Sequence, residues 1–266
     1  MSRLHALLRV LPLALVALAA PAAAQGTAQP AEEEPTIEAN GFLVEEAYNQ
    51  EAGVLQQIAR AAGVHDGSWR GVYSQEWPIF SERHQLELAV GVAEHDGLAG
   101  LGAEYRYLAV GGKDEPFSLS PALEVAWGLV EVEDGETESE WEIEATLPAS
   151  LRLGETLVAN TNLGMSYTPE TGDTGFRLGQ GLIWRAHPRL NLLLEGVFTR
   201  GDPLLREEEG EDESAVVSPG VQFAFPLRDD VQLVPGVAFP FGVGPSAGER
   251  AVMLYLSLEH PFTRRR

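Results

Sequence analysis

Phe117-Ser-Leu119-Ser-Pro121-Ala-Leu123-Glu-Val125-Ala-Trp127-Gly-Leu129 is the stretch that decides the fold. Every second residue is apolar, and Ser118, Ser120, Ala122, Glu124, Ala126 and Gly128 fall between them. Side chains of a strand point alternately to opposite faces, so this segment has one greasy and one polar wall. Strands of soluble sheets usually stop near five or six residues, whereas crossing hydrocarbon takes roughly 9 to 11 tilted ones. The same pattern repeats from Gly53 to Phe262 in runs of about ten to fourteen residues broken by turns. The expected fold is all-β, a transmembrane antiparallel up-and-down β-barrel of about twelve strands.

Candidate strands lie at 53–62, 68–79, 84–94, 99–109, 117–130, 140–152, 156–168, 175–185, 189–200, 214–225, 231–241 and 250–262. The first, Val54 to Ala62, reads equally as a short helix, but single-chain bacterial barrels have an even strand number, and dropping it leaves eleven. Connectors give an independent check, because such barrels pair short periplasmic turns with longer outer loops. With both termini periplasmic, the turns at 80–83, 153–156, 186–189 and 226–230 fall inside, and the acidic connectors 131–139 and 201–214 fall outside. The 111–116 connector is long for an inner turn. Trp69, Trp77, Tyr105, Tyr107, Trp127, Trp141, Trp184, Phe198 and Phe225 lie on the apolar face toward strand ends, where an aromatic girdle belongs. Core aromatics of a β-sandwich are the alternative, which the long, evenly spaced strands disfavour.

Residues 1–24 read as a secretory signal peptide: Arg3 and Arg9, an apolar run from Val10 to Ala20, then Ala22-Ala23-Ala24. The apolar run is too short for a spanning helix. Residues 25–52 are expected to form a periplasmic leader, 53–262 the barrel, and 263–266 a basic tail. Two of the 18 basic residues leave with the signal peptide while all 40 acidic residues stay. So acidic a chain is unsuited to nucleic acid, which needs clustered Lys and Arg. With no cysteine, disulfides, thiolate metal sites and cysteine nucleophiles are excluded.

Parity places Glu76, Glu87, Glu104, Glu124, Glu142, Glu144, Glu195 and Glu259 inward, with Arg70, Arg106, Arg152 and Arg177. A basic residue facing mid-bilayer lipid costs about 2 to 4 kcal/mol and an acidic one somewhat less, so the lumen is where these charges belong. Two readings stand: a polar conduit whose charge selects solutes, or a closed structural or binding barrel filled by Glu/Arg pairs. Barrel width does not choose between them, because twelve strands fall between the eight that side chains nearly fill and the sixteen that leave a channel. The leader segment Phe42 to Glu51, with Glu45, Glu46, Tyr48, Asn49 and Gln50, either folds inward as a plug or stays periplasmic as a spacer.

Gly244-Pro-Ser246-Ala-Gly248 matches the pattern of a hydrolase nucleophile elbow, which needs a helix after it and an acid before a later histidine. Here a strand-like run follows and no aspartate separates Ser246 from His260, so an outer loop explains the motif better and an outer-membrane hydrolase is the remote alternative. His84, His187 and His260 map to the periplasmic rim, His65 and His95 to outer loops. No histidine pair has zinc spacing, and the acidic loops lack the order of a calcium loop. No cofactor, metal site or catalytic residue is expected.

Phe42-Leu-Val-Glu-Glu-Ala-Tyr-Asn-Gln-Glu51, Gln75-Glu-Trp-Pro78, Arg83-His-Gln-Leu86, Ser218-Pro-Gly-Val221, Val234 to Arg250 and Leu258-Glu-His-Pro-Phe262 together resemble a family of bacterial outer-membrane barrels. That family carries the labels of transporter and of meta-pathway phenol-degradation protein. The resemblance spans 42–262 and implies the outer membrane of a Gram-negative bacterium and uptake of small, aromatic or hydrophobic solutes. It supplies no catalytic residues. The expected partners are outer-membrane lipid, an unidentified small solute, and the barrel assembly machinery, whose terminal aromatic signal Phe262 resembles. Thr263 and three arginines follow Phe262, which departs from that signal.

Overall fold

The computed structural model describes Ile37 and residues 41–64, 67–94, 97–112, 115–131, 137–201, 213–228 and 231–262. The signal segment 1–24, nearly all of the leader before residue 41, His65, His95, most of both acidic connectors and the tail 263–266 lie outside these residues.

Fifteen strand segments make a wall of twelve strands. In chain order they are β1 Val54–Val64, β2 Trp69–Pro78, β3 His84–Ala93, β4 Gly97–Tyr107, β5 Phe117–Leu119, β6 Ala122–Glu131, β7 Thr137–Arg152 and β8 Leu157–Thr168. There follow β9 Asp173–His187, β10 Leu190–Arg200, β11 Glu213–Phe223, β12 Phe225–Arg228, β13 Val231–Ala238, β14 Phe241–Gly242 and β15 Ala251–Pro261. Each wall strand pairs antiparallel with its neighbours, and β1 meets β15 from Val54↔Pro261 to Val64↔Ala251, which closes the barrel. Closure leaves no edge whose unpaired N–H and C=O groups would face hydrocarbon. The Val54–Ala62 run is strand, as the even-number argument requires.

Three wall strands are broken once. The run expected as one strand over 117–130 is interrupted at Ser120-Pro121, because a proline brings no N–H to a ladder. Below the break, β5 pairs with β7 and bridges to Val110, so residues 108–112 fold back onto the wall, with the Ser118 hydroxyl bonded to Gly112 at 3.0 Å. The run expected over 231–241 is likewise split at Phe239-Pro240, and β11 gives way to β12 at Ala224. The β11–β13 seam is short, from Gly220↔Ala238 to Gln222↔Gly236, and β14 carries the wall on by pairing with Val216 and Val217 and bridging from Phe241 to Arg250, beside a cleft of about 570 Å³ lined by Phe239 to Gly242 and Gly248 to Val252.

The outer face is apolar. Leu88, Leu101, Leu123, Ile143, Leu178 and Leu254 are all exposed on it. Tyr105, Tyr107 and Phe225 ring the end where the chain enters at Gly53 and leaves at Phe262; Trp69 and Trp141 ring the other. Phe80, in the turn between β2 and β3, holds φ +58 with its ring 93% exposed, an uncommon conformation for a bulky residue, and stacks edge-on to His84 within the first band. Polar groups on the outer face satisfy one another sideways: Tyr73 donates to Gln57 at 2.6 Å and Gln75 donates to Tyr73 at 2.8 Å. Such pairing is what a solvent without hydrogen-bonding capacity demands.

Leu88, Ala103, Val125 and Ile143 stand in one register row between the two aromatic bands. Leu88→Arg is therefore expected to cost about 2–4 kcal/mol in reversible unfolding from lipid vesicles. Leu88→Phe should change little, and equal stabilities of the two variants would count against this face as the lipid side.

Candidate functional site

The polar face of the wall encloses the chain's own residues 41–52. Phe42, Val44, Glu46, Ala47 and Gln50 are buried there. The wall's backbone groups are already spent in their ladders, so the segment is held by side chains. Glu195, on β10 and 2% exposed, accepts the backbone N–H groups of Phe42, Leu43 and Val44 at 3.2, 3.0 and 2.9 Å. Asn162 on β8 accepts from Glu45 N–H at 2.6 Å and returns a bond to Glu45 C=O at 2.8 Å. The Ser150 hydroxyl on β7 accepts from Ala47 N–H at 2.8 Å, and the Ser120 hydroxyl donates to Ala47 C=O at 2.8 Å. Gln85 on β3 accepts from Gln50 N–H at 2.8 Å. Arg177 on β9 donates to Leu43 C=O at 3.0 Å, and Arg106 on β4 to Glu46 C=O at 3.2 Å.

Side chains of the segment complete the contact. The Phe42 ring lies where Gly220 and Gly236 leave space, since a Cβ on either would come within 2.7 and 2.8 Å of it, and meets Tyr255 edge-on at 5.6 Å. Val44 lies over Gly179 and Gly181, with would-be Cβ distances of 3.1 and 3.3 Å. Gln50 donates to Glu76 on β2 at 3.1 Å and to Gln56 on β1. Tyr48 lies under the Arg152 guanidinium, 5.4 Å from ring centroid to Cζ. Eleven of the twelve wall strands, and Ser120 at the break in the twelfth, thus touch this one segment.

A row of carboxylates runs beside it. Glu76, Glu87, Glu104, Glu124 and Glu144 are direct register partners across β2, β3, β4, β6 and β7. Like charges directly opposite one another destabilise a sheet, so the row needs cations near it. Arg106 supplies one, paired with Glu104 at 2.9 Å and with Glu45 of the segment. Burial opposes the charge on Glu45, but Arg106, Arg60 and Arg177 outweigh it and hold its carboxyl below the ordinary range. Its contribution to docking is accordingly full at neutral pH and is lost as acid titrates it through that lowered pKa.

The remaining residues singled out from the sequence divide by height. Glu259 accepts from Gln56 at 3.2 Å, and Glu142 stands half-buried two residues from Glu144. Arg70 is exposed at the end of β2 remote from Gly53. Asn49 lies in the segment, and neither of its amide atoms has a hydrogen-bond partner among the described residues. Ser246 is buried and spends its hydroxyl on Ser214 at 3.0 Å and on Ala215 N–H at 3.2 Å, an anchor for the loop rather than a free nucleophile. Sequence reasoning missed Arg60, Gln56, Gln85, Ser150 and Asn162. It weighed charges, whereas Gln56, Gln85, Ser150 and Asn162 hold the segment through neutral groups.

No family model and no curated protein matches the chain. Solved structures do. The NanC porin aligns over 78% of this chain and 100% of its own at TM-score 0.53 and 7% identity. An outer membrane channel from Pseudomonas putida F1 aligns over 80% and 97% at TM-score 0.55 and 13% identity. The KdgM porin in complex with disordered oligogalacturonate aligns over 78% and 99% at TM-score 0.52 and 10% identity. At such identities the likeness is one of fold, that of outer-membrane β-barrels.

Removing the Glu195 carboxylate strands three buried N–H groups, each costing about 1–3 kcal/mol unless it finds water. The chain has no cysteine of its own, so a single Leu43→Cys reports on the segment cleanly. Maleimide labelling of Leu43→Cys is expected to be at least tenfold faster with Glu195→Ala than without it; equal rates would mean that Glu195 does not hold the segment.

Proposed function

We propose that the protein is a channel of the outer membrane of a Gram-negative bacterium, that it passes small solutes, and that residues 41–52 close its lumen at rest. The observation that carries this reading is the segment itself: a closed wall holds residues 41–52 by side chains, and side-chain contacts can be released without opening a single ladder. The carboxylate row supports a lumen that disfavours anions, as rings of charged side chains do in channels. An acid sugar such as the oligogalacturonate held by the KdgM porin would meet repulsion here. The resemblance to the transporter and phenol-degradation family favours small aromatic or hydrophobic solutes, and the carboxylate row favours neutral or cationic ones among them. Ser246 has no part in this reading, nor does any other catalytic group. Delivery to the membrane falls to the barrel assembly machinery, with Phe262 as the terminal aromatic.

A second reading is favoured by the density of contacts around the segment: a closed structural or binding barrel whose lumen never empties. Planar-bilayer recordings separate the two. The full chain is expected to give a small, cation-preferring conductance, and deletion of residues 41–52 to raise it severalfold. Glu87→Gln with Glu124→Gln should move the zero-current potential in a salt gradient toward zero. A deletion variant that is folded, conducts nothing and admits no solute into liposomes would establish the closed barrel instead.

A further inference from the structure

We infer that the lumen is a binding site for a peptide bent through an aromatic residue and a branched aliphatic residue two positions later, and that residues 42–50 are its tethered ligand. The inference rests on reading 41–52 as the closing segment, and goes beyond it by assigning the lumen a ligand class.

Recognition is of backbone first. The N–H groups of residues 42, 43, 44, 45, 47 and 50 are taken by wall side chains, and wall side chains also reach the carbonyls of residues 43, 45, 46 and 47. A sugar or an aromatic acid cannot supply that alternation of donors and acceptors; a peptide supplies it whatever its sequence. Glu195 is the sharpest element, because one carboxylate gathers three consecutive N–H groups and would gather them from any chain held in the same bend.

Selectivity comes from two pockets made by absent side chains. Gly220 and Gly236, with Tyr255, bound the space for the Phe42 ring; Gly179 and Gly181 bound the space for Val44. Backbone bonds for affinity and pockets for alternate side chains are the division of labour by which extended peptides are recognised elsewhere. The tether from Gln50 to the first strand is three residues, Glu51 to Gly53, and so short a link gives an effective concentration in the millimolar range. A free peptide therefore competes poorly with the intact chain and binds well once the segment is removed.

The test uses a synthetic peptide with the sequence of residues 41–52 and a variant lacking those residues. The peptide is expected to block the variant's current reversibly, and a Phe42→Ala peptide to block at least tenfold more weakly. An analogue with ester oxygens in place of the Leu43 and Val44 amide N–H groups loses two bonds to Glu195 and should also block at least tenfold more weakly. Should the deletion fail to fold, judged by the heat-dependent gel mobility of closed barrels, the full-length Phe42→Ala, Val44→Ala chain takes its place, with the same ranking of peptides expected. A variant that conducts more than the intact chain but ignores the peptide, or that is blocked equally by the ester analogue, would overturn the peptide site while leaving the closing segment standing. A folded variant that conducts no more than the intact chain would overturn both.

Discussion

A strand that crosses hydrocarbon has nowhere to send its N–H and C=O groups except to another strand. That constraint makes β1 meet β15 and leaves the wall without an edge. It also explains why the outer face carries self-satisfied groups such as the Gln57–Tyr73–Gln75 chain rather than isolated ones, and why Glu76, Glu87, Glu104, Glu124 and Glu144 share the opposite face. Once the outer face belongs to lipid, every costly group the chain retains must be gathered inside.

The interior inherits a second consequence. A wall that spends its backbone groups on its own ladders offers mainly side chains to what lies within it, so residues 41–52 are gripped by a carboxylate, amides, hydroxyls and guanidinium groups. Arg106 shows how closely the two problems are linked: it offsets the carboxylate row through Glu104 and ties down the segment through Glu45 and the Glu46 carbonyl. Grip and charge balance are one network, and a change to either alters the other.

Most of the wall was legible in the sequence because alternation is imposed by the lipid at every step, and lipid is indifferent to which apolar residue it meets. Less legible were places where a single contact decides. Pro121 stood inside a perfectly alternating run, and nothing in the pattern distinguishes a proline that breaks a ladder from one that sits at its margin. Arg60 went unassigned because Gln56-Ile58-Arg60 belongs to the one stretch that reads equally as helix, and parity has meaning only after strand is chosen. Glu195 was placed on the inward face by parity, yet its partners lie more than 150 positions away, beyond any local signal. Gly179, Gly181, Gly220 and Gly236 looked like ordinary small residues of a polar face until Phe42 and Val44 gave them something to make room for.

Residues 41–52 precede every strand of the wall in the chain yet are among the last able to settle. Its seat is assembled from β10, β11, β13 and β15 as much as from the strands beside it, and the Phe42 pocket is incomplete until both sides of the final seam have arrived. A half-zipped barrel would leave residues 41–52 without their full seat and open to proteolysis, while a finished one buries Phe42, Val44, Ala47 and Gln50. The same few contacts that occupy the lumen therefore make the seating of residues 41–52 a record of closure, complete only when the last strand has joined the first.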